Sequence, residues 1–101
     1  MTPLDVARNQ LRAAQRYEMN GNYLDAARLF LSALLFVMEY RGAKWDELAL
    51  RAHAWAVACA KRVIDSSDSD EDRAEADDVV AACNRALVSN KVLQNDFCLL
   101  L

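Results

Sequence analysis

At 101 residues, 54% hydrophobic, with only 2 glycines and 1 proline, the chain can build one modest core but has too few turn formers for an all-β fold. Its net charge of −3 argues against a nucleic-acid partner, which calls for a basic surplus. Three cysteines (Cys59, Cys83, Cys98) without a CxxC pair argue against a secreted disulfide framework and for a reducing, cytoplasmic setting, and the longest apolar stretch, LFLSALLFVM, is too short for membrane insertion.

The opening MTPLDVARNQ carries no apolar run of the signal-peptide kind; it begins a helix instead. Thr2, Pro3 and Asp5 supply a capping hydroxyl, a proline at the first helical position and an acid at the third, so helix 1 is predicted over 3–20. Gly21 suits the left-handed residue that closes it, since no Cβ clashes there. Asn22 is then the expected cap of helix 2, over 23–40, which Arg41-Gly42 ends. Helix 3 is predicted over 44–64. The polar run DSSDSDEDRAEADD interrupts the pattern, and Ser69 with Asp72 three residues on reads as a second capping box opening helix 4, over 70–88. An apolar tail, 91–101, ends in Phe97, Cys98, Leu99, Leu100 and Leu101, and is expected to fold back on the bundle or to meet another chain.

Helix 2 carries the most information. At roughly 100° per residue, Tyr23, Ala26, Ala27, Phe30, Ala33, Leu34 and Val37 share one face. Leu24, Leu31, Leu35 and Met38 form a second stripe, and Asp25, Arg28, Ser32 and Glu39 leave only a narrow wet strip. A helix this apolar has to be covered on most of its circumference by neighbours or by a partner. The alanines permit close approach, with Tyr17, Tyr23 and Phe30 expected to fill the space between crossing helices.

Ala14, Tyr17, Gly21, Tyr23, Ala26, Phe30, Ala33 and Leu34 together resemble the tetratricopeptide repeat, with its small residue, Tyr, then Gly-x-Tyr-x-x-Ala-x-x-x-Tyr/Phe-x-x-Ala-Leu. GNYLDAARLFLSALLFVMEY is similar to the second helix of microtubule-interacting and transport (MIT) domains, and LRAHAWAVACAKRVI to their third, a likeness covering 5–65. The resemblance implies an all-α, antiparallel four-helix bundle of such hairpins. It also implies a non-catalytic adaptor that holds a helix or short peptide of another protein in a groove beside helices 2 and 3.

Residues of that groove can be named. Helix 3 turns Trp45, Leu48, Ala49, Ala52, Ala56, Cys59, Ala60 and Val63 inward, with Trp55 at one edge of that face. Arg51 lies one turn before Trp55 and Arg62 two turns after, an arrangement suited to an amphipathic helix with an apolar anchor and acidic flanks. The alternative is that Trp55 completes the core while both arginines are solvated. Leu31 and Leu35 of helix 2, with Leu48, Arg51, Trp55 and Arg62 of helix 3, are the expected contact set. Arg8, Arg12 and Arg16 form a basic ridge on helix 1, read either as a wet face or as a dock for an acidic segment, such as the chain's own loop.

Charge divides sharply along the chain. Residues 1–65 carry a net +2 and residues 66–101 a net −5. Asp68-x-Asp70-x-Asp72 opens like a calcium loop, but Arg73 stands where glycine is needed and Val79 where glutamate is, so no metal is expected. Ser67 and Ser69, each with an acid three residues on, fit an acid-directed kinase. The lone His53 sits among alanines, and no HExxH, phosphate loop or nucleophile elbow occurs, so neither catalysis nor a cofactor is expected. Two rival readings remain. One is an obligate homodimer using helix 2 and the leucine tail; the other is a small acidic inhibitor or immunity protein presenting 65–78.

Overall fold

The computed structural model describes residues 1–88; the apolar tail, with Cys98, lies outside the described residues. Four helices, α1 (Pro3–Met19), α2 (Tyr23–Val37), α3 (Ala43–Ser66) and α4 (Asp70–Val88), form an all-α bundle, with no strand among the described residues. α1 begins at a complete capping box. Thr2 Oγ1 accepts from the Asp5 N–H at 3.2 Å, and Asp5 Oδ2 accepts from the Thr2 N–H at 3.3 Å. It ends in a Schellman motif. Gly21, at φ +82°, donates to the Glu18 carbonyl at 3.0 Å, and Asn22 donates to the Tyr17 carbonyl at 2.8 Å.

Three boundary details depart from expectation. Asn22 occupies the N-cap of α2 but makes no side-chain capping bond. α2 stops at Val37, not Tyr40. The chain tightens there into i→i+3 bonds, Glu39 to the Phe36 carbonyl and Tyr40 to the Val37 carbonyl. Tyr40 then stacks on Trp45 (4.3 Å between centroids, 16° between planes) and leans on Phe36 at 5.5 Å, so ring packing turns the chain before the glycine does. At the start of α4, Ser69 Oγ accepts from the Asp72 N–H at 3.2 Å, whereas the Ser69 N–H goes to Ser67 Oγ instead of the Asp72 carboxylate.

α2 packs against α1, α3 and α4, and α3 packs against α4 as well. The predicted inner face of α2 is buried at Ala26, Ala27, Phe30, Ala33, Leu34 and Val37; Asp25, Arg28 and Ser32 are its wet strip, and Glu39 is exposed in the turn beyond it. Opposite stand Ala7, Leu11 and Ala14 of α1, Ala49, Ala52, Ala56, Cys59, Ala60 and Val63 of α3, and Ala76, Val79, Cys83 and Ala86 of α4. Most of this core is alanine. Small faces bring helix axes close but each removes little apolar area from water. The larger contributions come from the few big side chains sealed among them, Phe30, Leu34 and Val37, at about 1.5–3 kcal/mol apiece.

Tyr17 does not fill the space between helices as expected. It is 41% exposed, and the ring beside Phe30 is Trp55, at 5.4 Å and 60°. The buried stripe of α1 runs Ala7, Leu11, Ala14 and next reaches half-buried Glu18, so Tyr17 falls to one side, near Ala13, Arg16 and Asn20.

Two substitutions separate backbone from packing. In Gly21→Ala, the added Cβ would meet nothing within 4 Å, so only the left-handed backbone resists; a loss of about 1–2 kcal/mol is expected. Ala33→Leu, at a site with no exposure, should cost about 1–3 kcal/mol by overpacking. Urea unfolding followed by circular dichroism measures both.

Candidate functional site

Most of α1 and the N-terminal half of α3 lie across a cleft of about 320 Å³. α1 contributes Leu4, Arg8, Leu11, Arg12 and Gln15, spaced to share one helical stripe; α3 contributes Lys44, Glu47, Leu48, Arg51 and Trp55 in the same way. Both stripes adjoin the alanine faces that seat these helices on α2, namely Ala7 and Ala14 on α1 and Ala52 and Ala56 on α3. Trp55 is half-buried and rests on Phe30 of α2, giving the cleft an aromatic base. Leu11 is almost fully buried beside it, and Leu4 and Leu48 are half-buried.

Charge in the cleft is one-sided. Four cations, Arg8, Arg12, Lys44 and Arg51, face one carboxylate, Glu47, and all five side chains are exposed. Glu47 binds Arg51 at 3.1 Å, and the Arg51 guanidinium carbon sits 5.8 Å from the Trp55 ring centre.

The predicted contact residues divide into three groups. Leu48, Arg51 and Trp55 come together in the cleft. Arg62, two turns beyond Trp55, lies over the Tyr23 ring at 4.4 Å and belongs to the start of α2. Leu31 and Leu35 follow Arg28 by three and seven residues and so share its side of α2. That side meets α4, because Arg28 clamps both oxygens of Glu75, with Nε–Oε1 at 2.7 Å. Leu35 remains 51% exposed.

Sequence reasoning missed the α1 wall of the cleft. The Arg8–Arg12–Arg16 ridge was visible, but nothing in the letters says that α1 faces α3. Two of its members, Arg8 and Arg12, enter the cleft; Arg16 turns towards Tyr17 and Asn20.

Titratable groups in the core lie away from the cleft. His53 is buried between α3 and α4, its Nε2 3.4 Å from Asn84 Oδ1. Burial pulls its pKa below the usual 6.5, and the Asn84 hydrogen bond opposes this only in part. Burial pushes the Cys59 thiol up to about 11, helped by Glu18 and opposed by Arg62, and the Cys83 thiol up to about 11. Among the described residues no cluster of three His, Cys, Asp or Glu is placed to hold a metal ion, and no helix is long and apolar enough to cross a membrane.

These shifts have measurable consequences. Because the folded chain holds His53 below 6.5, the unfolded chain binds a proton first as pH falls; His53's contribution to stability is present above 6.5 and lost on descending towards the lower folded-state value. The His53→Gln variant should show a flatter decline in urea midpoint between about pH 7 and about pH 5.5, and an unchanged slope would assign the decline to other groups. Cys59 and Cys83 should resist iodoacetamide in the folded chain at about pH 7.5 and react after denaturation, as read by peptide mass spectrometry. No protein-family model, curated protein or solved structure matches this chain.

Proposed function

We propose that the domain is a non-catalytic interaction scaffold that captures a helix or short peptide of another protein in the α1/α3 cleft. The observation that carries this reading is the joining of an apolar base (Leu4, Leu11, Leu48, Trp55) to polar walls in one open cleft built by two rigid helices. Lys44 to Trp55 covers about 16 Å of helix, room for a partner segment of about three turns. The likeness of residues 14–34 to tetratricopeptide and MIT hairpins supports the same class of activity. The contact surface differs from the one that likeness implied. The α1 wall replaces the face of α2 that carries Leu31 and Leu35, and Arg62 is not part of it.

Self-association through α2 is the second reading, and the observation favouring it is Leu35, left 51% exposed on an otherwise apolar stripe. One pair of variants separates the two. Leu48→Asp should abolish retention of a partner in affinity capture while circular dichroism still reports a helical bundle, and Leu35→Asp should retain it. If Leu35→Asp instead abolishes retention and turns a dimer into a monomer on sedimentation, the α2 reading replaces the cleft. Trp55 is unsuited to this test, because it rests on Phe30 and its removal would also loosen the core, by about 2–4 kcal/mol.

A further inference from the structure

The cleft's charge runs against that of the chain. A molecule of net −3 gathers four cations around one carboxylate in this cleft. Glu47 is already bound by Arg51, and among the described residues Arg8, Arg12 and Lys44 make no ion pair. Their positions are not explained by helix stability. Arg8 and Arg12 are like charges one turn apart, which destabilises a free helix. Lys44 stands in the first turn of α3, where the helix dipole favours an anion and disfavours a cation. A carboxylate brought between the walls would relieve both conflicts.

Among the described residues, Glu47 is the one carboxylate of the chain that lines the cleft. The acidic stretch begins beyond the far end of α3, and about 16 Å of helix separates Trp55, the last α3 residue of the cleft, from Ser66. Within that stretch Asp70 is tied to Arg73 and Glu75 to Arg28. A second copy could present its acidic corner to the cleft, but residues 66–78 contain no apolar side chain larger than alanine. That corner would meet the basic rim and leave Leu48 and Trp55 uncovered.

We propose, building on the cleft reading above, that the occupant is an acidic amphipathic helix from another protein. Leucine-like side chains at i, i+3 or i+4, and i+7 cover Leu4, Leu48 and Trp55. Carboxylates one turn apart on one flank pair with Arg8 and Arg12, and an acid on the other flank pairs with Lys44. Arg12 and Arg8 are separated by about 6 Å of rise, the rise of one turn in the partner, so acids at i and i+4 match them in register. Because the rim is exposed, charge here mainly sets specificity and association rate, while the apolar base supplies most of the hold.

The test uses the full chain and a labelled synthetic helix of about 14 residues, with leucines along one face and glutamates on both flanks, followed by fluorescence anisotropy. Controls are the same peptide with every glutamate changed to lysine, a scrambled peptide of identical composition, and a single-stranded oligonucleotide of about 12 nucleotides. The glutamate peptide should bind, and its affinity should fall about tenfold between roughly 50 mM and roughly 300 mM salt. The double variant Arg12→Glu with Lys44→Glu should lose the glutamate peptide by at least about tenfold and gain the lysine peptide. That reversal also demonstrates that the variant is folded. Equal binding of glutamate and lysine peptides, lost in Leu48→Asp, would overturn the acidic assignment and leave peptide capture standing. Scrambled-peptide binding as tight as the helix, or tighter oligonucleotide binding, would overturn the helical partner. Binding that the double variant leaves unchanged would move the ligand elsewhere, and binding of neither peptide would remove both the assignment and the cleft reading.

Discussion

Everything in this bundle depends on how closely three helices approach α2, and one ring governs that approach. Phe30 has no solvent exposure and lies among alanines of its own helix and of α3. Alanine faces carry almost no shape, so by themselves they would tolerate sliding and rotation of one helix against another. Phe30 removes that freedom on the α3 side by offering Trp55 a tilted ring contact at 5.4 Å. With the rotation of α3 set there, Leu48 and Arg51, on the same stripe as Trp55, turn towards α1 and not towards α4. The stability of the core and the shape of the cleft are thus two consequences of a single contact.

The charge pattern makes sense when each group is weighed against what its own helix wants. Asp70, Glu71 and Asp72 open α4, and Arg16 closes α1; both placements suit the helix dipole. Arg28 holds Asp25 and Glu75, and such half-exposed pairs are worth about 0–1 kcal/mol, enough to fix alignment between α2 and α4 but little else. Arg8, Arg12 and Lys44 are the cations that local helix physics does not require. They gather in one cleft, where the single carboxylate, Glu47, is already held by Arg51.

Much of the fold could be read from the chain because its signals are local. Thr2 with Asp5, Gly21 and Ser69 act within a few residues, so their roles as caps and stops followed from spacing alone. The buried face of α2 followed as well, since a periodic stripe this apolar has few ways to be satisfied. Other features were hidden because they are settled between elements. α2 ends three residues early, and Tyr40 of the connecting turn stacks on Trp45 of α3, a ring contact that no propensity encodes. Tyr17 matched a repeat pattern by position, yet the four–three spacing of Ala7, Leu11 and Ala14 carries the buried stripe past it.

The candidate site divides along the same line. Leu48, Arg51 and Trp55 share a stripe of one helix, and that much was legible in the letters. Their companions Arg8 and Arg12 stood out only as a basic row with no stated neighbour, and Leu31, Leu35 and Arg62 were grouped with Trp55 although the bundle separates them. The sequence by itself determined where each helix starts, which of its faces is buried and where charge accumulates, because those properties arise from periodicity and from bonds a few residues long. Only the tertiary structure decided which two helices share a cleft, since that depends on how Phe30 and Trp55 set the rotation of α3 against α2, a choice made between surfaces far apart in the chain.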